Sequence, residues 1–261
     1  MTILQQILDE KVNKVAELKM KKATLNFDLP LYSLYDALIQ KDTLQIIAEI
    51  KRASPSKGII KANVDVVKQA QQYEAAGAAC ISVLTDEPFF KGSYEDLRKV
   101  AQAVSIPVLC KDFILDEIQI DYARANGASV ILLIVAALES ERLRELYTYA
   151  NQMNLAILVE VHSVEEYERA HALGAKIIGI NNRNLKNFEV DLKHTQTIAK
   201  AFSNNTDQVL VSESGIKNTE DAKMVSAYGA SAILVGETLM KSENVEAALQ
   251  MLAVKKVREV E

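Results

Sequence analysis

Gly77-Ala78-Ala79-Cys80-Ile81-Ser82-Val83-Leu84 is the stretch on which the fold turns. A glycine suits the left-handed turn that ends a helix. An alanine follows, and then a short apolar run with β-branched residues, the mark of a buried strand. The same Gly-Ala pair returns at Gly127-Ala128, Gly174-Ala175 and Gly229-Ala230, after 50, 47 and 55 residues. Each interval holds two strand–helix units, so the pairs mark the second, fourth, sixth and eighth strands of a repeating series.

Outward from these pairs, eight strands are expected at 46–51, 79–84, 106–111, 129–135, 156–161, 176–180, 208–213 and 231–235. Amphipathic helical stretches follow them near 63–76, 93–104, 116–126, 139–153, 163–173, 193–202, 218–228 and 242–256. Strands alternating with helices imply a parallel sheet. An open doubly wound sheet is the alternative, but no G-x-G-x-x-G follows the first strand. Ahead of that strand, Ile3, Leu4, Ile7, Leu8, Val12, Val15 and Leu18 recur at helical spacing, and Pro30 interrupts a mixed segment over 23–45. The expectation is an α/β chain of one domain: a single (β/α)8 TIM barrel over 46–261 with an N-terminal helical extension over 1–45. The 261 residues suit a fold that typically takes about 250.

Strands of a parallel sheet are covered on both faces and should be apolar throughout. The odd-numbered strands here end on charge: Glu49 and Lys51, Lys111, Glu160 and Glu213. Alternation puts Glu49 and Lys51 on one face, Leu109 with Lys111, and Val211 with Glu213. Buried unpaired charge is costly, and barrel enzymes carry their chemistry at the C-terminal ends of the strands. Five charges from four strands at that end point to an acid–base site, with lysines to donate protons and glutamates to accept them. The bland alternative is a set of salt bridges plugging the barrel mouth.

A second signal is a cradle for an anion. Ser214-Gly215 follows the seventh strand and Gly236-Glu237 the eighth, where barrels bind phosphate against a short extra helix that Glu237-Thr238 can begin. Arg52-Ala53-Ser54-Pro55-Ser56-Lys57-Gly58, after the first strand, is basic, hydroxyl-rich and suited to closing over a ligand.

Composition excludes other classes. The net charge of −5 argues against nucleic acid, and the lysines at 19, 21 and 22 lie among acids as a solvated helix face. The longest apolar run, 128–138, is too short to cross a membrane. Residues 1–14 lack the apolar core of a secretory signal. Two cysteines, Cys80 and Cys110, make no disulfide framework, so a cytoplasmic setting is expected. There is no H-E-x-x-H, C-x-x-C or P-loop, and neither metal nor cofactor is expected. His171 and His194 fall on helices and read as surface residues; His162 reads as a loop residue bordering the site.

The segment from Ile47 to Gly58, with Glu49, Lys51, Ser54 and Pro55, resembles the signature of indole-3-glycerol-phosphate synthases. So do Leu84 to Ser93, Lys111-Asp112-Phe113-Ile114, Val159-Glu160-Val161, Gly179-Ile180-Asn181-Asn182-Arg183-Asn184-Leu185 and Glu213-Ser214-Gly215-Ile216. The resemblance implies a lyase of tryptophan biosynthesis acting on 1-(2-carboxyphenylamino)-1-deoxyribulose 5-phosphate. It implies Lys111 as general acid and Glu160 as base, assisted by Glu49 and Lys51. Asn181 and Glu213 would organise the polar centre, and Arg183 would meet the substrate carboxylate. Ser54, Ser214, Gly215, Gly236 and Glu237 would surround the phosphate, and Phe113, Leu132 and Leu185 would pack on the aromatic ring. Ser212 and Thr238 depart from the family's commoner alanine and serine. The expected partner is the phosphorylated substrate alone, with no nucleic acid or membrane, for a monomer or weak homo-oligomer.

Overall fold

The computed structural model describes residues 2–21, 25–39, 41–185, 187–202 and 207–256. Lys22 of the lysine cluster, and residues 1, 23–24, 40, 186, 203–206 and 257–261 of the expected extension and barrel, lie outside the described residues.

Eight parallel strands close into a barrel: β1 (Gln45–Ile50), β2 (Cys80–Leu84), β3 (Val108–Lys111), β4 (Val130–Ile134), β5 (Ala156–Val161), β6 (Ile177–Asn181), β7 (Val209–Glu213) and β8 (Ala232–Val235). The seam joins β1 to β8, with Ala48 beside Val235. The expected helices appear as α3 (Val66–Ala75), α5 (Tyr94–Ala103), α6 (Glu117–Ala125), α7 (Ser140–Gln152), α8 (Val164–Ala172), α9 (Lys193–Ala199), α10 (Thr219–Ala227) and α12 (Val245–Leu252). The N-terminal extension supplies α1 (Ile3–Met20) and α2 (Leu34–Ile39). Short α4 (Glu87–Phe90) and α11 (Glu237–Lys241) follow β2 and β8, and Ala53–Ser54 pairs with Gly58–Ile59 in a small hairpin after β1.

The repeated Gly-Ala pairs have a physical cause. Gly77, Gly127, Gly174 and Gly229 take φ of 89°, 89°, 74° and 94°, a region costly for any residue with a Cβ. The following alanines donate back across the helix end to the carbonyls of Tyr73, Ala123, Ala170 and Val225, at 3.0–3.2 Å. That six-to-one bond closes the helix before the strand begins. All four alanines are buried, so a small residue is required there.

Apolar side chains form two shells. One lies between strands and helices and includes Cys110, Ile131, Val159 and Ile233. The other fills the lumen with Ile47, Cys80, Leu109, Leu132, Leu158, Ile177 and Val211. Leu34 and Leu38 of α2 are fully buried in the lumen shell. The Tyr35 hydroxyl donates to the Asp207 carbonyl just ahead of β7 at 2.9 Å, which seats α2 at the N-terminal end of the barrel. Two leucines four residues apart are too short a periodic signal to announce that helix from sequence.

At the other end, α1 departs from the expected amphipathic stripe. Val12, assigned to the apolar face, is 60% exposed, and Lys11 takes the buried position at 4%. Lys11 lies four residues after Ile7 and seven before Leu18, so all three share a face. Asp86 and Asp112 meet its ammonium at 2.8 and 2.6 Å. Among the described residues no helix is long and apolar enough to cross a membrane.

Candidate active site

On the odd-numbered strands the inward column of side chains runs from apolar to charged. Ile47 is followed by Glu49, Leu109 by Lys111, Leu158 by Glu160 and Val211 by Glu213. Glu49, Glu160 and Glu213 are all at least 96% buried. The Lys111 ammonium pairs with Glu213 Oε2 and lies 3.3 Å from Glu160 Oε2. Asn181 Nδ2 donates to Glu160 Oε1 at 3.1 Å. Beside them Lys51 Nζ donates to Glu49 Oε1 at 2.5 Å.

Two glycines make room for these carboxylates. A Cβ on Gly179 would lie 2.1 Å from Glu213 Oε1. One on Gly236 would lie 2.5 Å from Glu49 Oε1 and 3.2 Å from Lys51 Nζ. Gly236, expected only in the phosphate cradle, also leaves space for the Glu49–Lys51 pair.

The electrostatics separate the two carboxylates around Lys111. Burial, with Glu160 adding repulsion and Lys111 opposing, lifts Glu213 to about 7. Burial works against the charge of Glu160 too, but Lys111 and His162 overcome it and hold that carboxyl well below its ordinary value. Burial likewise opposes the charge of Lys111, yet Glu213, Glu160 and Glu49 outweigh it and keep the ammonium protonated beyond the normal lysine range. A persistent proton donor thus stands beside one firmly ionised carboxylate and one poised near neutrality, a division that acid–base chemistry uses.

All fifteen residues expected at the site line one cleft of about 540 Å³: Glu49, Lys51, Ser54, Lys111, Phe113, Leu132, Glu160, Asn181, Arg183, Leu185, Glu213, Ser214, Gly215, Gly236 and Glu237. Phe90 joins Phe113, with ring centroids 6.1 Å apart, and Ile3, Leu4 and Ile7 of α1 complete the apolar wall. None of these four was anticipated; α1 shows helical periodicity, but nothing local says what its apolar face covers. Arg183 is steered by its own backbone, whose N–H donates to Asn181 Oδ1 at 3.0 Å, and its guanidinium donates to the Phe188 carbonyl at 3.2 Å.

The polar rim contains Lys57, Lys217 and Lys241 besides the expected residues. Ser214 adopts φ 68°, unusual for a residue with a Cβ and worth about 1–3 kcal/mol of strain. Asn182 maintains that turn, donating from Nδ2 to the carbonyls of Glu213 and Ser214 at 2.9 and 3.1 Å. The Thr238 hydroxyl donates to the Ile216 carbonyl at 2.7 Å, tying the loop after β7 to α11. Ser212 faces away from the cleft and accepts from Asn182 Nδ2 at 2.9 Å. The two departures from the resembled pattern therefore sit in supporting bonds.

His162 follows β5 as a loop residue, and its ring lies 3.3 Å from Glu160. His171 is exposed, but His194 is half-buried, its Nε2 2.8 Å from the His162 carbonyl. Among the described residues no group of three or more His, Cys, Asp or Glu is placed to hold a metal ion.

Residues 4–252 match the family model described as indole-3-glycerol phosphate synthase. The chain belongs to the indole-3-glycerol phosphate synthase family. Relatives bearing that name include one from Oceanobacillus iheyensis, 51% identical over 255 residues and 97% of both chains. Another, from Exiguobacterium sibiricum, is 53% identical over 245 residues and 94% of each. One from Listeria welshimeri is 50% identical over 98% of this chain and 100% of its own. The family's members are carboxy-lyases of tryptophan biosynthesis. More distant likenesses show the fold alone. Thiamine phosphate pyrophosphorylase from Pyrococcus furiosus superposes with TM-score 0.58 at 20% identity, over 84% of this chain and 96% of its own. A mandelate oxidase mutant gives 0.59 at 18%, over 88% and 78%.

Proposed function

We propose that this chain converts 1-(2-carboxyphenylamino)-1-deoxyribulose 5-phosphate to indole-3-glycerol phosphate, carbon dioxide and water, with Lys111 as general acid. The observation that carries this reading is the Lys111 ammonium at the top of an apolar lumen, between Glu160 and Glu213. As the ring carbon attacks the C2′ carbonyl, the oxygen needs a proton, and Lys111 is the buried donor able to give it. Loss of carbon dioxide from the substituted ring carbon restores aromaticity. The hydroxyl then takes a proton from the Lys51 ammonium and leaves as water, while Glu160 takes the proton released from the new ring. Glu49 and Lys51 assist that dehydration, and Asn181 and Glu213 fix the positions of the other groups.

Substrate placement follows the lining of the cleft. Phe113, Leu132 and Leu185 pack on the aromatic ring, and Arg183 meets its carboxylate. The hydroxyls of Ser54 and Ser214 surround the phosphate, with backbone N–H groups of Gly215, Gly236 and Glu237. The first N–H groups of a helix such as α11 have no partner within it and favour an anion.

In the same reading the chain acts as one domain, with barrel 46–261 and extension 1–45, as a monomer or weak homo-oligomer in the cytoplasm. Its buried free thiols, Cys80 and Cys110, suit a reducing compartment, and its net charge of −5 suits a protein that binds neither nucleic acid nor membrane. The direct test is incubation with the carboxyphenylamino-deoxyribulose phosphate while following indole fluorescence. Product appearing with equimolar carbon dioxide supports the assignment; absence of turnover by folded protein overturns it.

A further inference from the structure

Glu160 has a neighbour that the chemistry above does not use. His162 stands two residues further along the same chain, outside the lining of the cleft. Its Nε2 lies 3.3 Å from Glu160 Oε1, an ion-pair contact too oblique for a full hydrogen bond. Its Nδ1 lies 3.2 Å from Glu166 Oε2, and the same Glu166 oxygen accepts from the His162 backbone N–H at 2.7 Å. Glu166 is anchored in turn, since its own N–H donates to Ser163 Oγ at the start of α8. From α9, His194 Nε2 meets the His162 carbonyl at 2.8 Å. Thus β5 and α8 bring carboxylates to the ring, α9 meets the backbone that carries it, and the ring stays outside the lining of the cleft.

We infer that His162 is a positioning residue for Glu160: its ring, set between the carboxylates of Glu160 and Glu166, acts on Glu160 from behind through its charge. The inference rests on the reading of Glu160 as the base of the dehydration step. The groups facing the ring are Glu160 on β5 and Glu166 on α8, with His194 on α9 at its carbonyl. Burial alone would strip the charge from this imidazole, yet the two glutamates prevail and raise it to about 10. The ring therefore stays cationic throughout the neutral range.

The geometry also explains why two groups share one oxygen. Asn181 Nδ2 donates to Glu160 Oε1 at 3.1 Å and aligns the carboxylate. His162 approaches the same Oε1 obliquely and contributes charge rather than direction. Lys111 takes the other oxygen, Oε2. Removing His162 should leave the carboxylate aligned by Asn181 and Lys111 but easier to protonate.

The test compares His162→Ala and His162→Gln with wild type and with Glu160→Gln, in the full-length protein. The glutamine keeps much of the size and a donor toward Glu166 but carries no charge. Both His162 variants should keep KM within about twofold and lose kcat chiefly on the acid side of the profile, with the neutral plateau little changed. In both, the acid limb of the kcat profile should move to higher pH, since loss of the nearby positive charge makes Glu160 easier to protonate. His162→Gln should keep more of the wild-type melting temperature than His162→Ala, because the glutamine still fills the space and can donate to Glu166, while both lose the stability that the buried cation contributes. A histidine replacement on top of Glu160→Gln should add no further loss. An acid limb within about 0.3 units of wild type in His162→Gln overturns the inference; so does a further drop in the double variant. Failure of the base assignment itself gives a different result, wild-type dehydration in Glu160→Gln alone.

Discussion

Lys111 and Lys11 each lie between two carboxylates on the C-terminal side of the barrel, yet the two clusters are finished differently. Around Lys11 every carboxylate oxygen has a partner. Asp86 Oδ2 takes the ammonium and Oδ1 accepts from the Phe89 N–H at 2.9 Å. Asp112 Oδ1 takes the ammonium and the Phe113 N–H at 2.7 Å, and Oδ2 accepts from Thr85 Oγ1 at 2.8 Å. Around Lys111, by contrast, Glu213 Oε1 is buried with no hydrogen bond. Completed polar networks make a structure rigid, whereas a group kept in a low-dielectric site with capacity to spare is available for chemistry. Composition does not distinguish the two clusters; the remaining hydrogen-bonding capacity does.

That contrast gives the two lysines opposite mutational signatures. Lys111→Ala should reduce kcat by about 10²–10⁴-fold, with circular dichroism and ligand affinity near wild type. Its fold should survive because Glu213 can take a proton, and Glu160 keeps Asn181 and His162. Retention of more than about a tenth of wild-type kcat would remove Lys111 from the role of general acid.

Lys11→Ala should do the reverse. It leaves Asp86 and Asp112 buried without their cation, a change that typically costs about 3–5 kcal/mol. Denaturant unfolding should show a lower midpoint at unchanged slope. Since α1 brings Ile3, Leu4 and Ile7 to the cleft, some rise in KM should accompany it. A variant with wild-type stability would mean that the ion cluster is dispensable and that apolar contacts alone seat α1.

The same contrast separates what was legible in the sequence from what was not. The Gly-Ala pairs disclosed the barrel because each serves a local need, a left-handed helix end followed by a small buried residue. Glu49, Lys111, Glu160 and Glu213 disclosed the site because charge in an otherwise apolar strand violates a rule stated over only a few residues. Lys11 violates no such rule: lysine on an amphipathic helix is ordinary, and Asp86 and Asp112 are 75 and 101 positions away. Its one local trace is the spacing it shares with Ile7 and Leu18. Phe90 was hidden for a similar reason, because only the fold brings α4 against Phe113. His162 was visible beside Glu160, but its clamp depends on Glu166 one helical turn later.

Glu213 should also reveal its unfinished surroundings in a pH titration of stability. Burial raises its carboxyl from 4.5 to about 7, so between those values the folded protein holds a proton that the unfolded chain releases. The stability contributed by this group is therefore full below about pH 4.5 and lost as pH rises through 7. Glu213→Gln removes that slope. Between pH 5 and 8 the variant should gain about 2 kcal/mol relative to wild type, measured by urea unfolding at each pH. A constant difference across that range would mean that Glu213 is fully ionised in the folded state and that Lys111 satisfies it after all.

The smallest effect is expected at Gly236, where structural and functional demands meet in one residue. Its φ of −116° is accessible to any amino acid, so backbone conformation does not explain the glycine. Space does: the missing Cβ points at Glu49 Oε1 and Lys51 Nζ, and the backbone is the last residue before α11. Gly236→Val should raise KM for the phosphorylated substrate by about tenfold, equivalent to about 1.4 kcal/mol of binding, by crowding the phosphate's approach. It should also lower kcat, because Glu49 and Lys51 must shift to admit the side chain. Competition by inorganic phosphate separates these two demands. If the phosphate site and the Glu49–Lys51 pair both depend on this glycine, phosphate should inhibit wild type and inhibit the variant much less, and a dephosphorylated substrate analogue should lose kcat with little change in KM. If phosphate inhibition is undiminished, Gly236 serves the Glu49–Lys51 pair alone. The anion then belongs nearer Ser54 and Lys57, on the loop after β1.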